Sequence, residues 1–166
     1  QELGAKMTVL DVDVLSDPLI TSNPSNRCYY CKRKIFQTIA DAAKTDGYEI
    51  LIDGTNASDE ASDRPGMKAL AELSVLSPLR ICGINKEEVR KLSKEAGLFT
   101  WDKPAYACLA TRIKTGEEIT KEKLFATEMS EKALSNLGFF FFFIRLSGAD
   151  AKIQVREEQM EKLLSH

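Results

Sequence analysis

The sequence lacks several features that would reveal its class directly. Its 166 residues include one histidine, and 23 Lys and Arg stand against 25 Asp and Glu, so the formal charge is only −2. A chain without a basic excess has no net attraction to nucleic acid or to an anionic membrane surface. No apolar run approaches the roughly 20 residues of a membrane-spanning helix, and no stretch has the pattern of a signal peptide. We therefore expect a cytoplasmic protein without nucleic-acid or membrane partners.

The four cysteines are better explained as ligands, nucleophiles or core residues than as a disulfide framework, since no secretory signal is present. Cys28 and Cys31 open a predicted helix, and a spacing of three residues puts both sulfurs on one side of it. The helix N-terminus and Arg27 favour thiolates there. A zinc site would need a second ligand pair, which Cys82 and Cys108 do not form. Packing of two half-buried thiols is the structural alternative, and Cys82, in an apolar stretch, is interpreted as a core residue.

The first hundred residues alternate between two kinds of hydrophobic pattern. Strands are predicted at 8–14 and 48–52, and helices at 28–44 and 86–96. This alternation is typical of an α/β unit with a parallel sheet. The chain opens on what resembles the last turn of a helix and closes on a helix without a terminator. We therefore expect it to be an interior part of a longer protein.

The pattern changes after residue 120. A helix is predicted from Thr120, its N-cap, to Leu137, followed by a hairpin with strands at 139–146 and 151–155 and then a final amphipathic helix. The different order of elements predicts a domain boundary near residues 116–119. We accordingly divide the chain into residues 1–116, an α/β domain, and residues 117–166, a small α+β domain.

Three groups of polar residues are candidates for a functional site. The first, at the carboxyl end of the strand at 48–52, contains Asp53, Gly54, Thr55, Asn56 and Asp59. Ligands of open α/β sheets bind at such strand ends, although an ordinary Asx turn is the alternative. The second is Cys108, whose small neighbours leave the sulfur approachable and whose thiolate Arg112 could stabilise; a buried, inert cysteine is the alternative. The third comprises Arg64 and the predicted cross-strand pair Arg145 and Lys152. These residues could bind an anionic substrate, and exposed surface charges without a function are the alternative.

Five motifs occur in an order that resembles the LarE family of ATP-dependent sulfur transferases, which mature the nickel-pincer cofactor of lactate racemase. The resemblance covers roughly residues 1–156. The motifs are Asn26-Arg27-Cys28-Tyr29-Tyr30-Cys31-Lys32, Asp53-Gly54-Thr55-Asn56-Ala57-Ser58-Asp59, Arg64-Pro65-Gly66, Ser77-Pro78-Leu79, and Thr100-Trp101-Asp102-Lys103-Pro104 continuing to Cys108-Leu109-Ala110-Thr111-Arg112. Each motif is weak by itself, and the ordered set is specific.

The resemblance implies an N-type ATP pyrophosphatase fold, which is a doubly wound α/β domain with a mostly parallel sheet, as in the adenine nucleotide alpha hydrolases. In the family a phosphate-binding loop after the first strand cradles ATP. No segment of this sequence matches that loop. Residues 1–116 would then be a partial ATP pyrophosphatase domain, and residues 117–166 would be part of a substrate-binding and oligomerisation domain. The family also implies a homo-oligomer.

The resemblance further implies a reaction and a set of site residues. ATP, with Mg²⁺ balancing the phosphate charge, would adenylate a carboxylate of a pyridinium biscarboxylate mononucleotide. The Cys108 thiolate would displace AMP to give a thioester, and cleavage of its Cβ–S bond would leave a thiocarboxylate on the product and dehydroalanine at position 108. The first motif group, Asp53, Gly54, Thr55, Asn56 and Asp59, would line the nucleotide or acyl-adenylate pocket. The substrate phosphate or carboxylates would be bound by Arg64, Arg112 and Arg145.

A second source of sulfur is open within the same family. Some members carry a C-x-x-C pair plus the cysteine that matches Cys108, and three such thiolates could hold a 4Fe-4S cluster with one open iron for an additional sulfide. Cys28, Cys31 and Cys108 fit this set, and Cys108 would then be a ligand rather than a sacrificed donor. Both routes need a thiolate at position 108, so the local sequence does not separate them.

Two departures from the family pattern affect the second domain. Phe143 occupies a position where the family often has arginine, and Gln154 one where it favours an acidic residue. Phe143 also ends a run of five phenylalanines, Phe139–Phe143, which we interpret as a buried strand.

Other functions are compatible with parts of the pattern. The chain could belong to another ATP pyrophosphatase, such as a tRNA thiolation enzyme or an amide-forming synthetase. An amide-forming synthetase would not require Cys108, and the charge of −2 gives a tRNA-binding face no support. A non-catalytic metal-binding or oligomerisation unit is the remaining alternative.

Overall fold

The computed structural model describes residues 4–59, 65–104, 106–148 and 150–165. Seven α-helices and one two-stranded sheet occur in these ranges. The helices are α1 (Pro18–Thr21), α2 (Arg27–Thr45), α3 (Pro65–Glu72), α4 (Pro78–Ile81), α5 (Lys86–Glu95), α6 (Lys121–Asn136) and α7 (Met160–Leu164). The strands are β1 (Phe143–Ser147) and β2 (Asp150–Gln154), and short 3₁₀ turns lie at Val14–Ser16, Leu109–Arg112 and Glu157–Gln159.

Helix boundaries follow the capping residues of the sequence closely. Asn85 caps α5 in a reciprocal capping box with Glu88, which satisfies two amide donors at the helix start. The hydroxyl of Thr120 accepts a hydrogen bond from the Lys123 amide and begins α6, as predicted. Helix α6 ends one residue before Leu137, and Gly138 follows with a φ of +76°, a conformation that glycine adopts without strain.

The predicted hairpin is confirmed, with shifted bounds. Strands β1 and β2 are antiparallel, and Arg145 pairs directly with Lys152. The phenylalanine run is not the buried strand that we predicted, because only Phe143 belongs to β1. Phe139 is buried, whereas Phe141 is 55% exposed and has a φ of +53°. A left-handed residue cannot continue an extended strand, so the chain turns within the run.

The described structure contains both helices and strands, but its residues do not form a doubly wound parallel sheet. The predicted strand at 8–14 forms no strand, and Val9 is 79% exposed. A strand is held by the hydrogen bonds of a neighbour, and the described ranges supply none there. The predicted strand at 48–52 contributes a single parallel bridge, between Ile52 and Leu76. In that bridge the Leu76 amide donates a hydrogen bond to the Leu51 carbonyl, and the Asp53 amide donates one to the Leu76 carbonyl.

The apolar stretch around Cys82 also differs from the prediction. It forms the short helix α4, because Pro78 at its first position preorganises a helical turn. Cys82 follows the helix and is exposed, so its interpretation as a core residue was wrong.

Two packed regions hold the described structure together. Helix α3 packs on α2, with Ala69 and Leu70 fully buried. Leu134 on α6, Phe139 and Ile144 on β1 form a second core, which the hairpin and α7 cover. The segment at 108–114 lies between the two regions, since it contacts both the start of α2 and strand β1. This segment carries Cys108. None of the described helices is both long enough and apolar enough to cross a membrane.

Candidate functional site

The loop after the Ile52 bridge is an acidic turn held by side-chain hydrogen bonds. Asp53 accepts hydrogen bonds from the amide and hydroxyl of Thr55, at 3.2 and 2.5 Å, and from the hydroxyl of Ser77 at 2.7 Å. Burial acts to raise the pKa of Asp53, but these hydrogen bonds and the nearby Lys32 charge outweigh it and hold the pKa below its usual value. The segment follows residues 48–52, of which Ile52 alone makes a strand-like bridge. It forms the Asx-type turn that was the structural alternative, and ligand binding at this place stays a prediction.

The rest of this loop is fixed to the segment that follows α4. The Ala57 amide donates to the Ile84 carbonyl at 2.8 Å, and the Lys86 amide donates to the Ser58 hydroxyl at 3.0 Å. Asp59 accepts from the Asn56 amide through its carboxylate and from Arg80 through its carbonyl. Backbone and side-chain bonds therefore hold Asn56 and Asp59 in place around Gly54, which has open space where a side chain would be.

An open pocket of about 310 Å³ joins this loop to the start of α2. We call it the cysteine–aspartate pocket, and it is lined by Cys28, Lys32, Thr55, Asp59, Pro65, Gly66 and Met67. Gly66 makes the close packing possible, because a Cβ there would lie 3.0 Å from Cδ of Lys32. The lack of a side chain at Gly66 thus leaves room for the Lys32 stem beside α3. The pocket combines a thiol, a cation, a hydroxyl and a carboxylate, which suits a polar ligand.

The C-x-x-C pair lies near Cys108, although more than seventy residues separate them. Cys28 and Cys108 are exposed, and Cys31 is half-buried. Burial, followed by the charges of Cys108 and Cys28, raises the pKa of the Cys31 thiol, while Arg27 and Lys34 act in the opposite direction. The expectation that the helix start favours a thiolate at position 31 was therefore wrong, because burial and the other thiols outweigh the cations. Cys31 therefore lies within electrostatic reach of both Cys28 and Cys108.

These sulfurs are not assembled as a metal centre in the structure. Within the described ranges, no three His, Cys, Asp or Glu side chains are grouped so that they could hold a metal ion. The chemistry of three thiols suits an iron–sulfur cluster, but their arrangement does not fit one without rearrangement. The ligand set Cys28, Cys31 and Cys108 stays a prediction.

Arg112 is buried, and part of its guanidinium is bound within the protein. Its Nε donates to Glu131 at 2.6 Å, and one terminal nitrogen donates to the Thr111 hydroxyl at 3.0 Å. Both charged residues are about 95% buried, and the guanidinium stacks 4.5 Å from the Phe143 ring centre. The Tyr106 hydroxyl donates to the other Glu131 oxygen at 2.9 Å. Burial, followed by this carboxylate, raises the pKa of the Tyr106 hydroxyl. The role of Arg112 toward substrate stays a prediction, and the geometry gives it a structural role besides.

A second pocket, of about 470 Å³, has a basic lining and lies beside Arg112. This basic pocket is formed by residues 111–115 together with Arg145, Leu146, Ser147 and Lys152. Arg145 donates to the Gln154 side-chain oxygen at 2.6 Å. The glutamine thus supplies the acceptor that an acidic residue would supply at this position. Arg64 lies outside the described residues, so its predicted role is not addressed.

Several contributors to the site were not predicted as site residues from the sequence. Lys32 and Ser77 were noted only as parts of motifs. Glu131 was not singled out, because a glutamate on an amphipathic helix is usually solvated. Its signal exists only in three dimensions, where α6 meets the 109–112 turn.

The lowered pKa of Asp53 predicts a pH-dependent stability. A carboxyl whose folded pKa lies below the unfolded value stabilises the fold above the unfolded pKa, near 3.9, and this stabilisation is lost as the pH falls through the folded pKa. We therefore expect Asp53→Asn to reduce the free energy of unfolding most near neutral pH, with a difference that shrinks below about pH 4. Urea unfolding at a series of pH values measures this. Asp41→Asn on α2 controls for removing one surface carboxylate. A difference that grows toward low pH would contradict the assignment.

Comparison with known proteins places the chain beside three curated relatives. No model of a protein family matches it. An uncharacterised protein of Synechocystis sp. is 38% identical over 164 residues, which is 99% of this chain and 61% of the relative. The pyridinium-3,5-bisthiocarboxylic acid mononucleotide synthase of Lactiplantibacillus plantarum is 32% identical over 164 residues, which is 99% of this chain and 59% of the synthase. An uncharacterised protein of Methanocaldococcus jannaschii is 32% identical over 134 residues, 81% of this chain and 52% of that protein. The chain thus spans less than two thirds of the length of these relatives.

Proposed function

We propose that the chain is part of a cytoplasmic sulfur transferase of the LarE type, which uses ATP to convert a carboxylate of a pyridinium biscarboxylate mononucleotide into a thiocarboxylate. The observation that carries this proposal is the 32% identity, over 99% of the chain, to a protein named as the synthase of the bisthiocarboxylic acid mononucleotide. Two features of the structure are consistent with it: Cys28 lines a pocket with Thr55 and Asp59, and Cys31 lies within electrostatic reach of Cys108.

The proposed whole protein contains a doubly wound parallel sheet with an ATP-binding phosphate loop. The parallel bridge between Ile52 and Leu76 is the contact expected between two neighbouring strands of such a sheet. Ile50 and Ile52 are 70% and 65% exposed, as expected of strand residues whose face a further layer would cover. The relatives are longer than this chain, so a protein of their length has room for such a layer and loop. We also propose a homo-oligomer.

The charge and position of the site residues assign a different binding role to each of the two pockets. The cysteine–aspartate pocket would bind the nucleotide or acyl adenylate, with Asp53 fixing Thr55 and with Lys32 facing the anionic groups. The basic pocket would bind the substrate phosphate or carboxylates through Arg145, beside Arg112. Arg64 would join them, and Mg²⁺ would balance the charge of the ATP phosphates.

The proposed chemistry has three balanced steps. The substrate carboxylate attacks the α-phosphate of ATP and releases pyrophosphate, which gives the acyl adenylate. The Cys108 thiolate then attacks the acyl carbon and AMP departs, which leaves a thioester. A base removes the Cα proton of Cys108, the Cβ–S electron pair stays on sulfur, and the products are the thiocarboxylate and dehydroalanine. Because Cys108 is exposed, an acyl adenylate can reach it.

The iron–sulfur alternative remains a prediction of the resemblance. A bound cluster would supply sulfide to the acyl adenylate and would spare Cys108. Since the three thiols are not grouped as metal ligands among the described residues, we derive no step through it.

The proposed function is tested by pyrophosphate release from ATP by the intact protein. We expect release that depends on a pyridinium biscarboxylate mononucleotide, followed by one thiocarboxylate per activated carboxylate. A pyridinium mononucleotide without carboxylates is the matched control and should give no release. Release that depends instead on tRNA, or an amide product formed with ammonia, would contradict the proposal.

A further inference from the structure

One arginine connects the helix that carries Cys28 and Cys31 to the segment that carries Cys108. Arg27 is the first residue of α2, and one of its terminal nitrogens donates to the Asn23 side-chain oxygen at 2.6 Å and to the Ala110 carbonyl at 3.0 Å. The other terminal nitrogen lies 3.8 Å from the sulfur of Cys28. A single guanidinium thus contacts the loop before α2, the turn after Cys108 and a thiol of the C-x-x-C pair.

Asn23 completes the connection. It is 1% exposed and has a φ of +53°, a left-handed conformation that asparagine tolerates better than most residues. Its side-chain nitrogen donates to the Lys114 carbonyl at 2.9 Å, and its own carbonyl accepts from the Gly116 amide at 2.8 Å. Asn23 is therefore held by the far end of the same segment, and it presents its side-chain oxygen to Arg27.

This arrangement explains how distant parts of the sequence share one site. Cys108 precedes the 3₁₀ turn at Leu109–Arg112, and its carbonyl accepts from the amide and hydroxyl of Thr111 at 2.9 and 2.7 Å. The turn is short, so holding the Ala110 carbonyl also fixes the approach of Cys108. Arginine suits this task because its planar fork reaches several acceptors at once, whereas the lysine ammonium is a point charge.

We infer that Arg27, seated on Asn23, is a positioning residue that holds Cys108 beside the Cys28–Cys31 pair. The chemical role given to the three sulfurs in this inference rests on the proposed function. The contacts of Arg27 that carry the inference do not depend on it. It assigns Arg27 no contact with substrate. Either source of sulfur would need the arrangement, since both use Cys108 together with its surroundings.

Thiol cross-linking tests the inference without ATP or substrate. In the intact protein with Cys82→Ser, two further variants leave one thiol pair each: Cys28→Ser leaves Cys31 and Cys108, and Cys108→Ser leaves Cys28 and Cys31. Dibromobimane becomes fluorescent when it bridges two thiols, and peptide mass analysis identifies the pair. Arg27→Ala should slow bridging of Cys31 to Cys108 by about tenfold or more, because the effective concentration of one thiol at the other falls. Bridging within α2, between Cys28 and Cys31, measures the effect of losing the Arg27 charge on thiol reactivity alone, and it should slow by much less.

Two further variants separate positioning from charge and from folding. Arg27→Lys keeps the charge but not the fork, so it should slow bridging to Cys108 nearly as much as alanine does. Arg33→Ala removes an exposed arginine from the same helix and should have no effect. Equal bridging of Cys31 to Cys108 with arginine or alanine at position 27 would overturn the inference, as would full rescue by lysine. If circular dichroism shows that Arg27→Ala and Arg27→Lys are both unfolded, the inference is also overturned, because Arg27 would then serve the whole fold. Failure of the proposed function would instead appear as absent pyrophosphate release while the bridging pattern persists.

Discussion

Cys108→Ala is expected to abolish formation of the thiocarboxylate while pyrophosphate release from ATP continues. The carboxylate is activated before sulfur is transferred, and the proposed nucleotide pocket contains Cys28 but not Cys108. Loss of the group that attacks the acyl adenylate should lower transfer by roughly 10³-fold or more. Thiocarboxylate formation and pyrophosphate release are measured in the same reaction, so the two steps separate directly.

Cys82→Ala is the matched control for this experiment. Cys82 is also exposed, and it lies after α4 and outside the linings of both pockets. Its replacement should leave both steps unchanged. Full sulfur transfer by Cys108→Ala would contradict the sacrificial and the cluster routes together, because each requires this thiolate.

The two sources of sulfur are distinguished by the fate of Cys108 after one turnover. The sacrificial route predicts that the peptide containing residue 108 loses the elements of H₂S and that the protein contains no iron. The cluster route predicts an unchanged Cys108 peptide, with iron and acid-labile sulfide bound after anaerobic reconstitution. Cys28→Ala should remove that iron, and it should leave a sacrificial Cys108 able to react.

Local signals in the sequence were sufficient for most helices. Asn85 and Thr120 cap helices α5 and α6, and Gly138 follows the end of α6, because capping depends on residues within one turn of each other. The pairing of Arg145 with Lys152 was also predictable, since a short turn fixes the register of a hairpin.

Strands were predicted less well because their stability depends on distant partners. The segment at 8–14 has a suitable pattern, yet Val9 is largely exposed and forms no ladder among the described residues. Burial of Cys82 was inferred from apolar neighbours, but Pro78 begins a helix that leaves the thiol exposed. In both cases a local pattern was compatible with two structures, and tertiary packing decided between them.

The candidate site shows the same division. Motif order placed Cys28, Asp53–Asp59 and Cys108 in one functional set, and the structure brings Cys28 to the Asp59 pocket and Cys108 near Cys31. The sequence could not reveal the contacts that hold them there. Arg27 reaches Ala110 across 83 positions, and Arg112 reaches Glu131 across 19, so neither pair has a local spacing signal.

Glu131→Gln is expected to cost about 3–5 kcal/mol of unfolding free energy, because it leaves the Arg112 charge buried without its partner. The pair has a 2.6 Å hydrogen bond, and both side chains are nearly inaccessible to water. Glu131 also accepts hydrogen bonds from Tyr106 and from the Ile144 amide, so its carboxylate joins α6 to β1. Urea unfolding measures the change as a lower midpoint at an unchanged slope. Glu128→Gln, an exposed position one turn earlier on α6, should change stability by less than about 0.5 kcal/mol.

A double-mutant cycle distinguishes a buried ion pair from a general sensitivity of α6. Arg112→Met combined with Glu131→Leu removes both charges and keeps apolar volume, so the double variant should lose less stability than Arg112→Met and Glu131→Leu lose in sum. Losses that simply add would mean that the two residues act independently.

The same double variant tests the proposed substrate role of Arg112. If the guanidinium serves only the fold, the KM for the mononucleotide should stay unchanged. If its remaining donor binds the substrate anion in the adjoining basic pocket, KM should rise in the double variant but not in Glu128→Gln.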